Sequence, residues 1–313
     1  MAQRKIIIDT DPGQDDAVAI LLALASPEEL EVVAITTVAG NVPLPLTSRN
    51  ALMMCELAGR PEVPVHPGCD RPMVRNLITA EYVHGKTGID GADLPEPATA
   101  LGEQHAVDFI IEAVLGSEPG EITICPLGPL TNIGQALSRE PAIAVRIGEI
   151  VLMGGGFFEG GNTTPTAEFN IYVDPQAADI VFRSGVPITM MPLDVTHHAL
   201  ILPRHLQRFR DLSTRAGDAV YGMLEFYERY DVDKYGTEGG PLHDPCVIAY
   251  LLDSDLFSGR HINVTVETES ELTLGMTVAD WWGMTDRAPN ATFMREVDSE
   301  GLFDLLVERI GRL

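Results

Sequence analysis

Short apolar segments rich in isoleucine and valine alternate with helical segments along the first two thirds of the chain. The stretch KIIIDTD at residues 5–11 precedes the helical pattern DDAVAILLALASP, and LEVVAITTVAG at residues 30–40 precedes another helical pattern. The same alternation returns with EITICPLG, EIVLMGG and PITMMPLDVT. Continuous apolar strands joined by helices predict a parallel sheet that is covered on both faces. The expected architecture is α/β, with an open, mostly parallel sheet and helices on both faces.

The last third of the chain has a different pattern. Residues 206–232 are helical with one polar face, and a further helix is expected to begin near Asp244. Residues 260–282 and 290–298 then predict a small region of antiparallel strands before a final helix. No linker rich in Ser, Gly or Pro and no block of charge divides the sequence, so we expect residues 1–313 to form a single domain.

The carboxyl ends of the predicted strands carry most of the conspicuous Asp and Asn residues. These ends are DTDPGQDD, TTVAGN, CPLGPLTN and LDVTHH. In open parallel sheets, ligands bind in the crevice outside the carboxyl ends of the strands. We therefore expect a polar, oxygen-rich site at that edge of the sheet.

Four aspartates occupy the turn between the first predicted strand and the first helix: Asp9, Asp11, Asp15 and Asp16. Asp15 and Asp16 would fall in the first helical turn, where helix capping is an alternative explanation for them. Capping does not explain Asp9 and Asp11. Several carboxylates within a few ångströms raise one another's pKa unless a cation neutralises them, so the cluster favours a metal site.

The ligand types point to calcium or magnesium, because zinc sites use Cys and His. An EF-hand loop is excluded, since a strand precedes the aspartates and the Glu of the twelfth position is missing. A distant ligand is therefore needed, and Asp244, next to His243, is a candidate. Because Pro245 follows, Asp244 could instead be an ordinary helix N-cap.

The overall charge restricts the possible partners. Lys and Arg number 21 against 46 Asp and Glu, which gives a formal charge of −25. Such a surface repels phosphate backbones and anionic lipids, so we expect neither nucleic acid nor membrane as a partner. The amino terminus has no secretion signal and no window reaches about 18 apolar residues, so a cytoplasmic location is expected. The absence of C-x-x-C pairs predicts reduced, structural thiols at Cys55, Cys69, Cys125 and Cys246.

Six motifs together resemble those of the inosine-uridine preferring nucleoside hydrolases. They extend over most of the chain in that family's order: DTDPGQDDAVAI, TTVAGN, VHGKTG, PLGPLTNI, MGGGFFEGGNTTPTAEFNIYVDP and LHDP. The resemblance implies hydrolysis of the N-glycosidic bond of a ribonucleoside, which releases ribose and a free base.

The resemblance also implies a calcium ion, with the carboxylates of Asp11, Asp16 and Asp244 and the backbone carbonyl of Leu127 as its ligands. Asp11 matches the residue that takes a proton from the water activated by calcium. His243 matches the acid that protonates the departing base in relatives that are not purine-specific. Many relatives have Thr or Val in place of Leu127, and a carbonyl ligand tolerates either.

Other matched residues would contact the nucleoside. An anionic pocket suits this reaction, because positive charge develops on the ribose ring as the bond breaks. Buried acceptors for the hydroxyls would reject deoxy sugars. By resemblance these residues are Asp15, Asn41 and Asn170 at the 2′ and 3′ hydroxyls, Asn162 and Glu168 at the 5′ hydroxyl, and His84 and His243 over the base.

Some positions depart from the family pattern. Gln14 replaces a common apolar residue, and we expect it at the surface or behind the substrate-binding residues, with little effect on catalysis. Trp282 stands where relatives often have Arg, so that end of the site or a subunit contact is expected to differ from theirs. No base-stacking tryptophan occurs at His84, which favours activity on uridine, cytidine and inosine. Relatives form dimers or tetramers, so a homo-oligomer is expected.

The segment FYERYDVDKYG is expected to form a mobile flap. Its aromatic residues Tyr227, Tyr230 and Tyr235 are candidate contacts to the base, although aromatic side chains at helical spacing are equally typical of a core.

Two other functions remain as alternatives. A haloacid dehalogenase-type phosphatase also carries D-x-D after an apolar strand and binds magnesium, but only Asp9 and Asp11 match it, and Gly13 stands where Thr or Val is usual. A calcium-stabilised protein that binds ribose or a nucleoside without turnover is the other, since a fold does not fix a function. Simple binding would not require both Asp11 and His243.

Overall fold

A computed structural model describes residues 3–313, apart from the side chains of Asp231, Asp233 and Tyr235. Its strands are β1 (Arg4–Thr10), β2 (Leu30–Thr37), β3 (Val65–Pro67), β4 (Ile122–Pro126), β5 (Glu149–Met153), β6 (Ile188–Met191), β7 (Phe257–Ile262), β8 (Val264–Val266), β9 (Thr277–Ala279) and β10 (Ala291–Val297). Its α-helices are α1 (Gln14–Leu24), α2 (Leu44–Leu57), α3 (Glu81–His84), α4 (Ala106–Gly116), α5 (Thr131–Arg139), α6 (Phe169–Val173), α7 (Pro175–Phe182), α8 (Leu193–Thr196), α9 (Pro203–Asp211), α10 (Arg215–Tyr235), α11 (Pro245–Leu252) and α12 (Ser299–Ile310). Short 3₁₀ helices span Pro141–Val145 and Ser254–Leu256.

The main sheet is open and mostly parallel, as the sequence predicts. Its strand order is β3-β2-β1-β4-β5-β6-β10-β7. Strand β10 pairs in parallel with β6 and antiparallel with β7, so it extends the main sheet. Strands β8 and β9 form a separate antiparallel pair. The predicted antiparallel region near the carboxyl terminus is confirmed and is divided between these two places.

The core lies on both faces of the sheet. Successive residues of a strand point to opposite faces, and Ile6 and Ile8 pack on one face while Ile7 packs on the other. Helix α1 lies on the face of Ile6 and Ile8, and all of its residues from Gln14 to Leu24 are buried. Helices α5 and α7 contribute to the opposite core. The predicted cover of helices on both faces is confirmed.

The chain changes direction across the sheet next to β1. From β1 it passes to β2 and β3 on one side, whereas β4 pairs with the other side of β1. The crevice outside such a switch point is the usual ligand site of an open α/β sheet. Here it brings the loop after β4 against the aspartate turn, and the backbone N–H of Leu127 donates to the carbonyl of Asp9 at 2.7 Å.

All four cysteines are free, and three of them are buried. No helix within residues 3–313 is long and apolar enough to cross a membrane. Trp282 is 73% exposed.

Candidate active site

The aspartate turn is organised around Asp16. Strand β1 ends at Thr10, Gly13 caps the helix, and α1 begins at Gln14. The Asp16 carboxylate accepts the Gly13 N–H at 2.9 Å and the Thr10 hydroxyl at 2.5 Å. The backbone N–H of Asp11 donates to it at 3.3 Å. Asp16 therefore does act as a helix cap, as the structural alternative requires.

The carboxylate of Asp11 lies so close to the backbone of Gly40 and Gly128 that a side chain at either position would clash with it. Its Oδ2 accepts the N–H of Asn41 at 2.7 Å, whereas its buried Oδ1 has no hydrogen-bond partner among the described residues. A Cβ added at Gly40 or at Gly128 would lie 2.1 Å from one of the carboxylate oxygens of Asp11. The side-chain amide of Asn41 also donates to Asp16 Oδ2 at 3.1 Å, so one residue binds the carboxylates of both aspartates.

Asp244 does not behave as an ordinary helix cap. It precedes Pro245 at the start of α11, but its side chain makes no capping hydrogen bond. One carboxylate oxygen from each of Asp15, Asp16 and Asp244 lies within 4.8 Å of the other two. An acid far along the chain thus meets two acids of the aspartate turn, which the capping explanation for Asp244 does not predict. The predicted metal ligand Asp11 is not one of these three, although its charge acts on Asp244.

These carboxyl groups are destabilised in their charged form. Burial, followed by the charge of Asp16, raises the pKa of Asp15 to about 8 and that of Asp11 well above its usual range. Burial and the charges of Asp15, Asp16 and Asp11 raise the pKa of Asp244 well above its usual range. The side chains of Asp11 and Asp15 each keep one buried oxygen with no partner among the described residues. A bound cation would neutralise the like charges and give the unpaired oxygens a partner.

Asp9 is separate from this cluster. Its Oδ1 accepts hydrogen bonds from Thr36 at 2.6 Å and Asn132 at 2.8 Å, and its Oδ2 has no partner among the described residues. Burial raises the pKa of Asp9 to about 7. The side chains of Thr36 and Asn132 therefore hold Asp9, and it is not one of the three carboxylates that converge.

The raised pKa values predict how the stability of the metal-free chain depends on pH. Asp9 and Asp15 have pKa values of about 7 and about 8 in the folded chain, above the usual 3.8. Between pH 3.8 and these values, the folded state therefore binds more protons than the unfolded state does. In a chelating buffer, the free energy of unfolding should fall as pH rises from 5 to 8, by up to about 1.4 kcal/mol per pH unit for each group. Denaturant unfolding at several pH values measures this. Asp15→Asn should reduce the slope, and stability that rises over this interval contradicts the prediction.

A cavity that is partly open to solvent lies next to the carboxylates. Its lining combines carboxylate, amide and imidazole groups with aromatic rings, which suits a polar small molecule. Most of the sequence-predicted site residues line it, namely Asp15, Asn41, His84, Leu127, Asn162, Glu168, Asn170, Tyr227, Tyr230, His243 and Asp244. Asp11 and Asp16 are fully buried and do not line it, and the side chain of Tyr235 lies outside the described residues. Trp282 does not line the cavity either.

The expected flap segment is part of a continuous helix up to Tyr235. Tyr227 and Tyr230 lie in α10, and Tyr227 is almost fully buried against His84, with ring centroids 5.5 Å apart. Aromatic side chains at this helical spacing can therefore serve both the core and the cavity wall.

The side chains of Glu168 and Asn162 line the cavity and also accept hydrogen bonds from backbone N–H groups. Glu168 caps α6 and accepts N–H bonds from Asn170 at 2.8 Å, Gly155 at 2.9 Å and Ile171 at 3.1 Å. Burial raises the pKa of Glu168 to about 7. Asn162 Oδ1 accepts the N–H of Phe169 at 3.0 Å. Both side chains are thus held in fixed orientations.

The Leu127 carbonyl has a protein partner. Asn170 Nδ2 donates to it at 2.6 Å. A carbonyl oxygen has two lone pairs, so this bond leaves one for another ligand. Asn170 therefore connects the predicted sugar-binding residues to a predicted metal ligand.

Two buried imidazoles, those of His84 and His243, also line the cavity. His243 Nδ1 lies 2.7 Å from the hydroxyl of Thr196, and burial together with His197 and His84 holds the pKa of His243 well below its usual range. Burial lowers the pKa of His84 to about 4. Both rings are therefore neutral near pH 7.

Two contacts of these histidines were missed at the sequence level. Thr196 belongs to LDVTHH, a strand end, but nothing in the sequence pairs it with His243. The amide of Gln14 binds His84, with its Oε1 2.8 Å from Nδ1 of the ring. A surface position for Gln14 is wrong, because its side chain is fully buried. A glutamine next to two aspartates is expected at the surface, because polar side chains are rarely buried without a hydrogen-bond partner. The partner of Gln14, His84, lies far away in the sequence.

The chain is similar along nearly its whole length to proteins of one kind. The family described as inosine-uridine preferring nucleoside hydrolase matches residues 6–304. An uncharacterized protein of Schizosaccharomyces pombe is 53% identical over 309 residues, with 99% of each chain covered. A pyrimidine-specific ribonucleoside hydrolase of Photobacterium profundum is 48% identical, with 98% of this chain and 99% of that one covered. The solved purine-preferring ribonucleoside hydrolase from Gardnerella vaginalis is 37% identical with a TM-score of 0.91, with 98% of each chain covered.

Proposed function

The chain belongs to the inosine-uridine preferring nucleoside hydrolase family, and from that premise we propose that it hydrolyses pyrimidine ribonucleosides and inosine with the help of calcium. Nucleoside hydrolases are glycosidases that cleave N-ribosyl bonds. The observation that carries the proposal is the meeting of Asp15, Asp16 and Asp244 beside a cavity lined by sugar-binding residue types and two histidines. We also propose that residues 1–313 form one hydrolase domain.

The carboxylates fit a hard cation such as calcium. The donors are all oxygen atoms, and the buried Oδ1 atoms of Asp11 and Asp15 have no partner among the described residues. We propose Asp11, Asp16, Asp244 and the carbonyl of Leu127 as its ligands, with Asp15 oriented toward the ribose. A calcium ion bound there would lower the pKa of water and attract the vicinal hydroxyls of the sugar.

Asp11 is proposed as the general base. Its carboxylate is held by the N–H of Asn41 on one oxygen, and the other oxygen is available to accept a proton from the attacking water. The surrounding carboxylates favour the positive charge that develops on the ribose ring as the glycosidic bond breaks.

His243 is proposed as the acid that protonates the leaving base. A neutral imidazole has one N–H, and when the hydroxyl of Thr196 donates to Nδ1, that proton lies on Nε2. The ring can then donate to the base as negative charge develops on it. The Thr196 contact is compatible with the tautomer that the reaction requires, because a hydroxyl can donate to Nδ1.

The ribose hydroxyls are proposed to bind the polar side chains along the cavity. Asp15, Asn41 and Asn170 would contact the 2′ and 3′ hydroxyls, and Asn162 and Glu168 the 5′ hydroxyl. The hydrogen bonds of Glu168 and Asn162 to backbone amides support this role, because they hold these side chains in place before substrate binds. Pyrimidine preference is supported by the name of the Photobacterium profundum relative, which is more similar in sequence than the purine-preferring enzyme from Gardnerella vaginalis.

Incubation of the protein with calcium and a panel of ribonucleosides tests the proposal. We expect release of free base from uridine, cytidine and inosine, and none from 2′-deoxyuridine. Uridine monophosphate is the control for the phosphatase alternative, and release of inorganic phosphate from it would favour that class. Binding of ribonucleosides with no release of base would instead support a binding protein without turnover.

A further inference from the structure

The buried Gln14 side chain forms three hydrogen bonds that fix its own orientation. Its Nε2 lies 2.9 Å from the carbonyl oxygen of His84 and 3.1 Å from that of Asp90, and its Oε1 lies 2.8 Å from Nδ1 of His84. Carbonyl oxygens can only accept, so the NH₂ group must face both of them. The amide oxygen must therefore face the imidazole of His84.

This orientation determines which nitrogen of His84 carries the proton. The Gln14 oxygen can only accept, so Nδ1 must donate, and a neutral imidazole with its proton on Nδ1 has a lone pair on Nε2. The ring is packed tightly against the turn, since a Cβ at Gly13 would lie 2.4 Å from Nδ1. The ring of His84 lines the cavity and bonds to Gln14 through Nδ1, so Nε2 is left for a ligand.

We propose that Gln14 is a positioning residue that fixes His84 in the Nδ1–H tautomer, so that Nε2 accepts a hydrogen bond from the bound ribonucleoside. The inference rests on the proposed function and adds a requirement to it: the substrate must bring a donor. This is either an N–H of the base, from the ring in uridine and inosine or from the amino group in cytidine, or a hydroxyl of the ribose. His84 as an acceptor and His243 as a donor then give the cavity two neutral imidazoles of opposite polarity. A substrate without the donor leaves Nε2 buried and unpaired, and is rejected for that reason.

The tautomer can be measured without any substrate or activity. In protein labelled with ¹⁵N-histidine, long-range ¹H–¹⁵N spectra distinguish the two tautomers, and His84→Ala assigns the signal. We expect the Nδ1–H pattern for His84 at pH 7 in the parent chain. In Gln14→Met, which has a similar volume but no acceptor, the signal should move toward the other tautomer or an average of both. An Nε2–H or doubly protonated His84 in the parent overturns the proposal.

The effect on substrate choice is measured with uridine, 3-methyluridine, which has no ring N–H, and 5′-deoxyuridine, which has no 5′ hydroxyl. The parent should prefer uridine over the analogue that lacks the donor by at least about tenfold in kcat/KM, and Gln14→Met should lose most of that preference. The analogue whose discrimination collapses identifies the donor. Gln176→Met, at a partly buried glutamine outside the cavity, is the matched control and should keep the parental ratios.

The possible failures can be told apart. If the parent and Gln14→Met discriminate equally, or if the parent accepts all three nucleosides alike, the proposal is wrong even when turnover confirms the hydrolase. If no ribonucleoside is cleaved, the proposed function fails, while the spectra still decide the tautomer of His84. Thermal unfolding of each variant verifies that it is folded.

Discussion

Asp11→Ala should reduce the turnover of uridine by at least about a thousandfold, because it removes both a proposed ligand of the cation and the proposed general base. The chain should stay folded, since among the described residues the side chain of Asp11 bonds only to the backbone N–H of Asn41. Asp11→Asn keeps the shape of the side chain and should lose activity to a similar degree, because an amide cannot accept the proton. Steady-state kinetics with circular dichroism of each variant measure both effects.

Asp9→Asn is the matched control for this experiment. Asp9 lies at the same strand end and is also fully buried, but its carboxylate is held by Thr36 and Asn132. Burial alone raises the pKa of Asp9, whereas the charges of Asp16 and Asp15 also raise that of Asp11. An asparagine oxygen can accept from both partners, so the activity should stay within about tenfold of the parent. If Asp11→Ala also retained activity within about tenfold, a general-base role for Asp11 would be excluded.

Removal of divalent ions should abolish activity and lower thermal stability together. Without a cation the buried oxygens of Asp11 and Asp15 have no partner among the described residues, and like charges face one another. Calcium at about a hundred times its Kd should stabilise the folded chain by about 2.7 kcal/mol, which corresponds to a rise in Tm of roughly 5 °C. We expect at least about a hundredfold loss of activity in chelator, restored by calcium.

The specificity of the cation is part of the same experiment. Magnesium should restore activity poorly, because it demands short, near-octahedral bonds that carboxylates fixed by packing do not supply. Asp244→Asn should weaken the response of both Tm and activity to calcium. Full activity in protein that mass spectrometry shows to be free of metal would refute a role for the ion.

Patterns local in sequence were sufficient for the architecture. The alternation of strands and helices predicts the parallel sheet because each segment must bury an apolar face, and this requirement is decided within a few residues. The position of the site follows from it, since the switch point lies beside β1, where Asp11 and Asp16 occur. Strand β10 is an exception: its place between β6 and β7 depends on pairings with residues far away in the chain.

The contacts that orient the histidines could not be predicted in the same way. Gln14 and His84 are 70 residues apart, and Thr196 and His243 are 47 apart. Hydrogen bonds of this kind depend on the final distances between loops, which no periodicity encodes. For Asp244 the local sequence suggests the wrong contact. Its position before Pro245 is typical of a helix cap, but its carboxylate makes no capping bond and interacts with Asp16 instead.

Every residue of helix α1 is buried, and Asp15 in its first turn is the one that reaches the cavity. A helix enclosed in this way cannot fray or swing away unless the packing around it is broken, so Asp15 and Asp16 are anchored as firmly as the fold itself. Under the proposed function, these carboxylates keep their positions whether or not a nucleoside is bound. Any adjustment to the substrate then falls to less enclosed parts of the cavity lining, such as Tyr230 of α10, which is only partly buried.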